Sequence, residues 1–313
     1  MHHSGIVFHL PADWVDDPSR MLPFYRKITA GLTAADVPWQ AKPFDRQTIE
    51  TTVENDPRFH ILNHGQICHS RVLNAGIAYV YPFWNLDPKG IRAFSSIADM
   101  PFRPGQIDGQ LARQFAQRLI QRQVAARTSR YEQPSEHEVL PAAAVAVFLQ
   151  SEGHRNVNET LYLDRWQMLE TTLTAAKTAP VIVKPHPREV STETFEQLLS
   201  LQKRHPHLHI SLGNIHDIIA ASDRVVTINS AVGIEAYLHQ KPVILCGQTD
   251  FHHIATTAKT PADLAEALTT PAPRRHYAKY LYWYFGLMCL NAGSRELTQD
   301  FLIRVQYHLE NRG

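Results

Sequence analysis

The segment "PVIVKPHPRE", residues 180–189, determines how the second half of this chain is interpreted. It opens with a run of apolar, mostly β-branched residues, which favours a buried strand. The run ends at Lys184, His186 and Arg188, with a proline on each side of the histidine. One interpretation is a strand end followed by a turn, because prolines end strands. The other is that basic side chains stand at the carboxyl end of a strand because an anion binds there.

Strand and helix patterns alternate regularly around this segment. Apolar runs predict strands at 143–150, 180–184, 208–212, 224–228 and 242–247, and helical periodicity predicts helices at 162–176, 191–204, 215–222 and 231–239. Buried strands separated by helices at this spacing predict a parallel, doubly wound sheet. A helical stretch at 107–127 and a polar, proline-bearing linker, "TSRYEQPSEHEVLP" at 128–141, precede it.

Length and composition limit what such a sheet can bind. A chain of 313 residues fits two domains of ordinary size. Lys and Arg together number 31, and Asp and Glu together number 30. This balance excludes a positive electrostatic potential over the whole surface that could hold a long nucleic acid, so an anion site must be local. The three cysteines lack disulfide or metal-ligand spacing, which indicates a reducing compartment. No apolar stretch reaches the roughly 18 residues of a membrane span, so a soluble, cytoplasmic protein is expected.

Polar side chains follow three of the predicted strands at their carboxyl ends, where ligands bind in doubly wound sheets. Glu152 follows the first strand, the basic segment 184–188 follows the second, and Asn229 and Ser230 lead from a later strand into a helix. Taken singly, these are a loop carboxylate, a turn and a helix cap. Their coincidence in one sheet favours a phosphate ester site with a carboxylate beside it.

The same residues carry a resemblance to a known family. The ordered set "FLQSEG", "VKPHPRE" and "INSAVGIEAYLHQKPVILCG", with "GIAYVYPFWNLDPKGIRAFSSI" upstream, resembles the bacterial capsule polysaccharide biosynthesis family, which includes the β-Kdo transferases. It is also similar to the wider group of CMP-sugar transferases, whose marks are an acidic motif ending in Gly, a His-Pro pair and a Ser pair. The resemblance spans about residues 70–250. Two departures are Asn229 in the Ser pair and a single carboxylate, Glu152, in the acidic motif.

The resemblance implies a GT-B-like α/β fold, with two Rossmann-like domains facing across a cleft. The domains are expected at 1–138 on the acceptor side and 139–290 on the nucleotide-sugar side, with a C-terminal helix at 291–313 packing back on the first. Lys184, His186 and Ser230 would hold the CMP phosphate, although the same cations could instead bind the sugar carboxylate. The full set implied for the donor is Lys184, His186, Pro187, Arg188, Asn229, Ser230 and Glu235, the last at the ribose.

The chemistry of a 2-keto sugar donor leaves two routes open. A carboxylate near the anomeric carbon can act as a general base, which gives inversion, or as a nucleophile, which gives retention. Glu152 is the candidate for this group, and the resemblance favours retention with a second carboxylate assisting. Asp87, in "FWNLDPKG", is the candidate for that second group, and an Asp-Pro turn is the alternative. Trp84, Arg92 and Ser95 are expected to contact the acceptor.

The function implied is transfer of Kdo from CMP-Kdo to a bacterial surface polysaccharide or glycolipid, without a metal or cofactor. The alternatives are a sialyltransferase or other CMP-nonulosonate transferase, and a non-catalytic module that binds glycan or nucleotide in a capsule assembly complex. The aromatic, partly basic segment 276–290 fits either a helix in the core or peripheral attachment to the inner face of the cytoplasmic membrane.

Overall fold

The structure is a computed structural model that describes residues 5–142, 144–150 and 160–311. Its strands are β1 (Ile6–Leu10), β2 (Trp39–Pro43), β3 (Phe59–Asn63), β4 (Val72–Ile77), β5 (Phe83–Asp87), β6 (Ala144–Phe148), β7 (Val181–Lys184), β8 (Leu208–Ile210), β9 (Ser222–Thr227), β10 (Val243–Leu245), β11 (Thr256–Thr257) and β12 (Leu290–Asn291). Its helices are α1 (Ala12–Asp16), α2 (Pro23–Ala34), α3 (Ile49–Asn55), α4 (Gly109–Ile120), α5 (Arg165–Ala176), α6 (Thr192–Arg204), α7 (Ile215–Ala221), α8 (Val232–Leu238), α9 (Pro261–Thr269), α10 (Tyr277–Leu281) and α11 (Leu297–Glu310). Turns of π-helix, Gln121–Ala125 and Tyr282–Met288, continue α4 and α10.

The chain forms two compact units, and their limits differ from the predicted domain boundaries. The first unit runs to Met100 and resumes at Tyr284, and the second comprises Pro101–Trp283. Residues 101–138 therefore belong to the second unit, because α4 packs against α10. The Phe102 and Tyr280 rings meet there at 5.0 Å. The C-terminal helix α11 belongs to the first unit, where it packs on α2.

The first unit is built on a mixed sheet with strand order β12-β5-β4-β3-β1-β2. Strands β1 to β4 pair in parallel, and β5 and β12 join in antiparallel orientation. The core on this sheet is aromatic: the Phe24 and Trp84 rings stack at 4.2 Å, and Phe8 stacks on Phe301 of α11 at 6.0 Å. This core explains why the C-terminal helix belongs to the first unit.

The second unit is built on a parallel sheet with strand order β11-β10-β9-β6-β7-β8. The side chains of Val181, Ile182 and Val183 are all buried, as expected for a strand covered by helices on both faces. The predicted doubly wound sheet is confirmed. From β6 the following strands β7 and β8 are added on one side of the sheet, and β9 to β11 are added on the other side. The order of addition thus reverses between β6 and β9, and the carboxyl ends of these two strands form the topological switch point.

The aromatic segment 276–290 packs in protein cores. Tyr280 and Trp283 are buried in the second unit, and Tyr284 and Phe285 are buried in the first. The burial of these side chains agrees with the core interpretation, and peripheral membrane attachment stays a prediction. No helix within the described residues is long and apolar enough to cross a membrane.

Candidate functional site

A hydrogen bond between two polar side chains links the strand ends at the switch point of the second sheet. Gln150, two residues beyond β6, donates from Nε2 to Oδ1 of Asn229 at 2.5 Å. Thr227, the last residue of β9, donates from its hydroxyl to the Phe148 carbonyl at 3.1 Å. These contacts tie the two strand ends together at the position where doubly wound sheets bind ligands. Glu152, predicted as the catalytic carboxylate at this edge, lies outside the described residues.

Ser230 forms the turn between β9 and α8. Its hydroxyl oxygen accepts from the Val232 N–H at 3.3 Å, and its carbonyl accepts from the Gly233 N–H at 3.0 Å. A Cβ on Gly233 would lie 2.9 Å from the Phe251 ring. The glycine is therefore required by packing against Phe251.

His186 follows β7 in a turn that fixes its ring. Its Nδ1 accepts from the Arg188 N–H at 3.1 Å, which places the proton of the neutral imidazole on Nε2. The ring meets Tyr131 edge to face, with centroids 5.1 Å apart. His186 is half-buried, while Pro187 and Arg188 are exposed. The turn interpretation and the anion-site interpretation of this segment are thus compatible.

Lys184 has a structural role that the sequence did not predict. Its ammonium is buried at the end of β7 and donates to the carbonyls of Leu212 at 2.9 Å and Gly213 at 2.6 Å. Burial lowers the pKa of Lys184 to about 8. Two of its three donors therefore stabilise the loop between β8 and α7. Its predicted phosphate contact stays a prediction.

Glu235 of α8 contacts the linker that precedes β6. The side chain is buried, and its Oε1 accepts from the Ser129 hydroxyl at 2.7 Å. Burial raises the pKa of Glu235 to about 7, although the bond from Ser129 acts in the opposite direction. This contact gives Glu235 a structural partner in the linker, and its predicted ribose contact stays a prediction.

The linker segment 127–134, here called the strap, is docked on α7 and α8. Arg127 pairs with Asp217 at 2.6 Å. Further hydrogen bonds join the strap to the start of α7. The His216 ring donates to Thr128 O at 2.8 Å, and the Ile215 N–H donates to the Gln133 side chain at 3.1 Å. The Asn214 amide donates to Arg127 O at 3.1 Å and to Pro134 O at 3.2 Å. A segment predicted as a plain linker is therefore a fixed part of the second unit.

Tyr131 in the strap brings cationic side chains to the end of β7. The Arg188 guanidinium lies 5.1 Å from the centroid of the Tyr131 ring, and that of Arg130 lies 5.8 Å from it. Together with the edge contact to His186, these cation–π contacts make Tyr131 the common neighbour of the basic side chains. Sequence reasoning missed Tyr131. The only available signal was one aromatic residue beside a basic one in a polar segment.

In the first unit, Asp87 is the last residue of β5 and is buried. Its Oδ1 accepts from the N–H groups of Lys89 at 2.8 Å and Gly90 at 3.2 Å. Its Oδ2 accepts from the Ser95 hydroxyl at 3.0 Å and from Ser96, at 2.9 Å from the N–H and 2.7 Å from the hydroxyl. Through these contacts the carboxylate organises the loop that follows β5, which agrees with the Asp-Pro turn interpretation. The predicted catalytic role of Asp87 stays a prediction.

The three predicted acceptor contacts have different surroundings. Trp84 is fully buried against Phe24 in the core of the first unit, and Ser95 is buried on Asp87. Both side chains therefore have structural contacts, and their predicted acceptor contacts stay predictions. Arg92 is half-buried, and its predicted contact stays a prediction.

Hydrogen-bond donors stand at the carboxyl ends of β7 and β9. His186 and Arg188 follow β7 and Ser230 follows β9, and imidazole, guanidinium and hydroxyl groups are suited to a phosphate oxygen. Among the residues that the structure describes, no three His, Cys, Asp or Glu side chains group as a metal site.

Comparison with known proteins gives one family and one fold. Residues 106–284, more than half of the chain, match the family model for capsule polysaccharide biosynthesis protein. The chain is similar in structure to the KpsC β-Kdo 2,7 transferase of Thermosulfurimonas dismutans, with 14% identity, a TM-score of 0.57, and coverage of 98% of this chain and 99% of that one. The KpsC β-Kdo 2,4 transferase of the same organism gives 16% identity, a TM-score of 0.55 and 89% coverage of both chains. No curated protein sequence matches the chain. The predicted GT-B-like fold class is confirmed.

Proposed function

The chain belongs to the family of capsule polysaccharide biosynthesis proteins, and on this premise we propose that it is a glycosyltransferase. The donor proposed is CMP-Kdo, and the acceptor is a bacterial surface polysaccharide or a glycolipid. Two observations support Kdo as the sugar: the ordered motifs in the sequence, and the structural likeness to two proteins that are themselves β-Kdo transferases. The observation that carries the proposal is that His186 and Arg188 follow β7 and Ser230 follows β9, at the carboxyl ends of two strands of one parallel sheet.

The donor phosphate is proposed to bind between His186 and Ser230. A CMP-sugar carries one phosphate, whereas a UDP-sugar carries two. His186 supplies one ring N–H, because its other nitrogen accepts from the Arg188 main chain at 3.1 Å. Ser230 supplies a hydroxyl on the turn after β9, beside the Asn229 side chain that bonds Gln150. This small set of donors supports a single phosphate.

The proposed chemistry is cleavage of the bond between the anomeric carbon and the phosphate oxygen. The departing CMP takes the electron pair, and the His186 N–H stabilises the negative charge that develops on its phosphate. In the retaining route a carboxylate first bonds to the anomeric carbon, and the acceptor oxygen then displaces it while losing its proton. Retention is proposed from the family resemblance. The nucleophile assigned to Glu152 stays a prediction.

A donor screen tests this function. The protein is incubated with CMP-Kdo, CMP-N-acetylneuraminic acid or UDP-N-acetylglucosamine, with and without acceptor glycan, and nucleotide release is followed. We expect CMP release from CMP-Kdo to be fastest, to rise with acceptor and to be unchanged in EDTA. Fastest release from CMP-N-acetylneuraminic acid would indicate the sialyltransferase alternative. Nucleotide binding without any release would indicate a non-catalytic module.

A further inference from the structure

The loop that follows β5 holds one residue in a costly main-chain conformation. Arg92 has φ of 54°, in the left-handed region that residues with a Cβ seldom adopt. Such a conformation persists only where the surroundings impose it. Here Asp87 binds both ends of the loop, as described above, and the Asn85 side-chain oxygen accepts from the Arg92 N–H at 3.3 Å. Two side chains of β5 thus impose the conformation of Arg92.

One edge of the Arg92 guanidinium has unsatisfied donors among the described residues. Within the described part of the chain, Nε and Nη2 of Arg92 are both buried and have no hydrogen-bond partner. Arg71 also has a buried Nε without a partner among the described residues. Its guanidinium nevertheless donates to the Val53 carbonyl at 2.7 Å. Arg92 differs because both N–H groups of one edge are unsatisfied.

That edge has the geometry of an oxyanion receptor. Nε and Nη2 lie side by side on the planar guanidinium, where they can donate in parallel to two oxygens of one carboxylate or phosphate. A buried cation with unsatisfied donors is unfavourable unless an anion pairs with it. The side-chain amide nitrogen of the adjoining Asn85 is also buried without a partner among the described residues. The local excess is therefore in donors, which favours an anionic ligand.

We propose that Arg92 binds an oxyanion, a carboxylate or a phosphate, in bidentate mode through Nε and Nη2. Asn85 and Asp87 are positioning residues for this site, since they hold the loop that presents the guanidinium. That the oxyanion belongs to an acidic glycan acceptor rests on the proposed function. The oxyanion site itself does not.

The test follows the side-chain Nε–H resonances of arginine in the full-length protein by ¹⁵N NMR. The protein is titrated separately with free Kdo, which carries a carboxylate, and with methyl phosphate. We expect the Arg92 resonance to shift with saturation in at least one titration, and the probe that binds more tightly identifies the class of oxyanion. We expect Arg92→Lys to weaken that binding about tenfold or more, because an ammonium lacks the planar fork. The exposed Arg26, changed to Gln, is the matched control and should bind as wild type does.

Arg92→Gly separates binding from folding. Glycine adopts the left-handed conformation without strain, so we expect this variant to melt at or above the wild-type temperature and to lose oxyanion binding. Three results would overturn the site: no shift of the Arg92 resonance with either probe, wild-type affinity in Arg92→Gly, or a melting temperature of Arg92→Gly below that of wild type. If the Arg92 resonance shifts with saturation but the protein releases nucleotide from no donor, the oxyanion site is supported and the proposed function is contradicted. If the protein turns over a donor but the Arg92 resonance does not shift, the proposed function is supported and the oxyanion site is contradicted.

Discussion

Polar side chains at the strand ends of this protein differ in what their polar atoms contact. The Lys184 ammonium and the Asp87 carboxylate form hydrogen bonds with main-chain and hydroxyl groups of the protein itself. His186 accepts a main-chain N–H with one ring nitrogen, which orients the other as a donor. The sequence identified Lys184 and His186 as basic residues at a strand end and Asp87 as a carboxylate in an Asp-Pro segment. It could not show which of them face a neighbouring loop, because that depends on segments distant in sequence, such as 212–213 for Lys184.

His186→Ala is predicted to slow CMP-Kdo turnover about a hundredfold or more, since loss of one donor to developing charge has that typical cost. The melting temperature should change little, because the side chain is half-buried in a turn. Turnover and melting are measured on one preparation, with His205→Ala as the control. A folded His186→Ala enzyme with the wild-type rate would reduce His186 to a turn residue.

Asp87→Asn is predicted to lower the free energy of unfolding by about 2–3 kcal/mol. An amide nitrogen would face several donors that the carboxylate now satisfies, and unsatisfied buried groups cost roughly this much. Urea denaturation of this variant and of Asp16→Asn, an exposed control, measures the difference. Unchanged stability would contradict this structural role, and complete loss of transfer in a stable variant would support the catalytic interpretation of Asp87.

At the scale of elements, the alternating strands and helices of the second sheet were predictable and the strap was not. The apolar, β-branched composition of strands such as "VIV" at 181–183 predicts that these strands are buried. The strap is polar and proline-bearing, and it is fixed in part through main-chain carbonyls of Arg127, Thr128 and Pro134. Carbonyl groups are present in every residue, so the sequence offers no signal for these contacts.

The buried Glu235 contact predicts a pH dependence of stability. With its pKa raised to about 7, Glu235 keeps its proton in the folded state at pH values where the unfolded chain has lost it. Its contribution is therefore fully present below the unfolded pKa of about 4.3 and is lost as pH rises through about 7. Relative to Glu235→Gln, wild type should lose on the order of 3 kcal/mol between pH 4 and pH 8. Parallel pH profiles of unfolding free energy for the two proteins would contradict this.

Tyr131 is predicted to act through its ring. Tyr131→Phe keeps the contacts to His186 and Arg188 and should bind CMP as wild type does. Tyr131→Leu removes the ring and should weaken CMP binding roughly tenfold, the effect of a cation–π and edge contact of about 1–2 kcal/mol. Calorimetry on both variants measures this. Equal affinities for the Leu and Phe variants would show that the ring has no part in positioning the basic side chains.

At the scale of the whole molecule, the fold class was predictable and the limits of the two units were not. Local patterns report strands and helices, but they do not report that α4 packs against α10 or that α11 packs on α2. Such pairings join segments far apart in the chain, and for that reason the predicted boundaries at 138 and 290 differ from those of the compact units.

The central claim about the second unit is that the strand ends around His186 and Ser230 hold the single phosphate of a CMP-activated sugar. Calorimetric titration of wild type and His186→Ala with CMP, UMP and UDP tests this claim most directly. We expect wild type to bind CMP more tightly than UMP or UDP, and His186→Ala to bind CMP more weakly than wild type does. Tighter binding of UDP than of CMP by wild type, or equal CMP affinity in the two proteins, would contradict it.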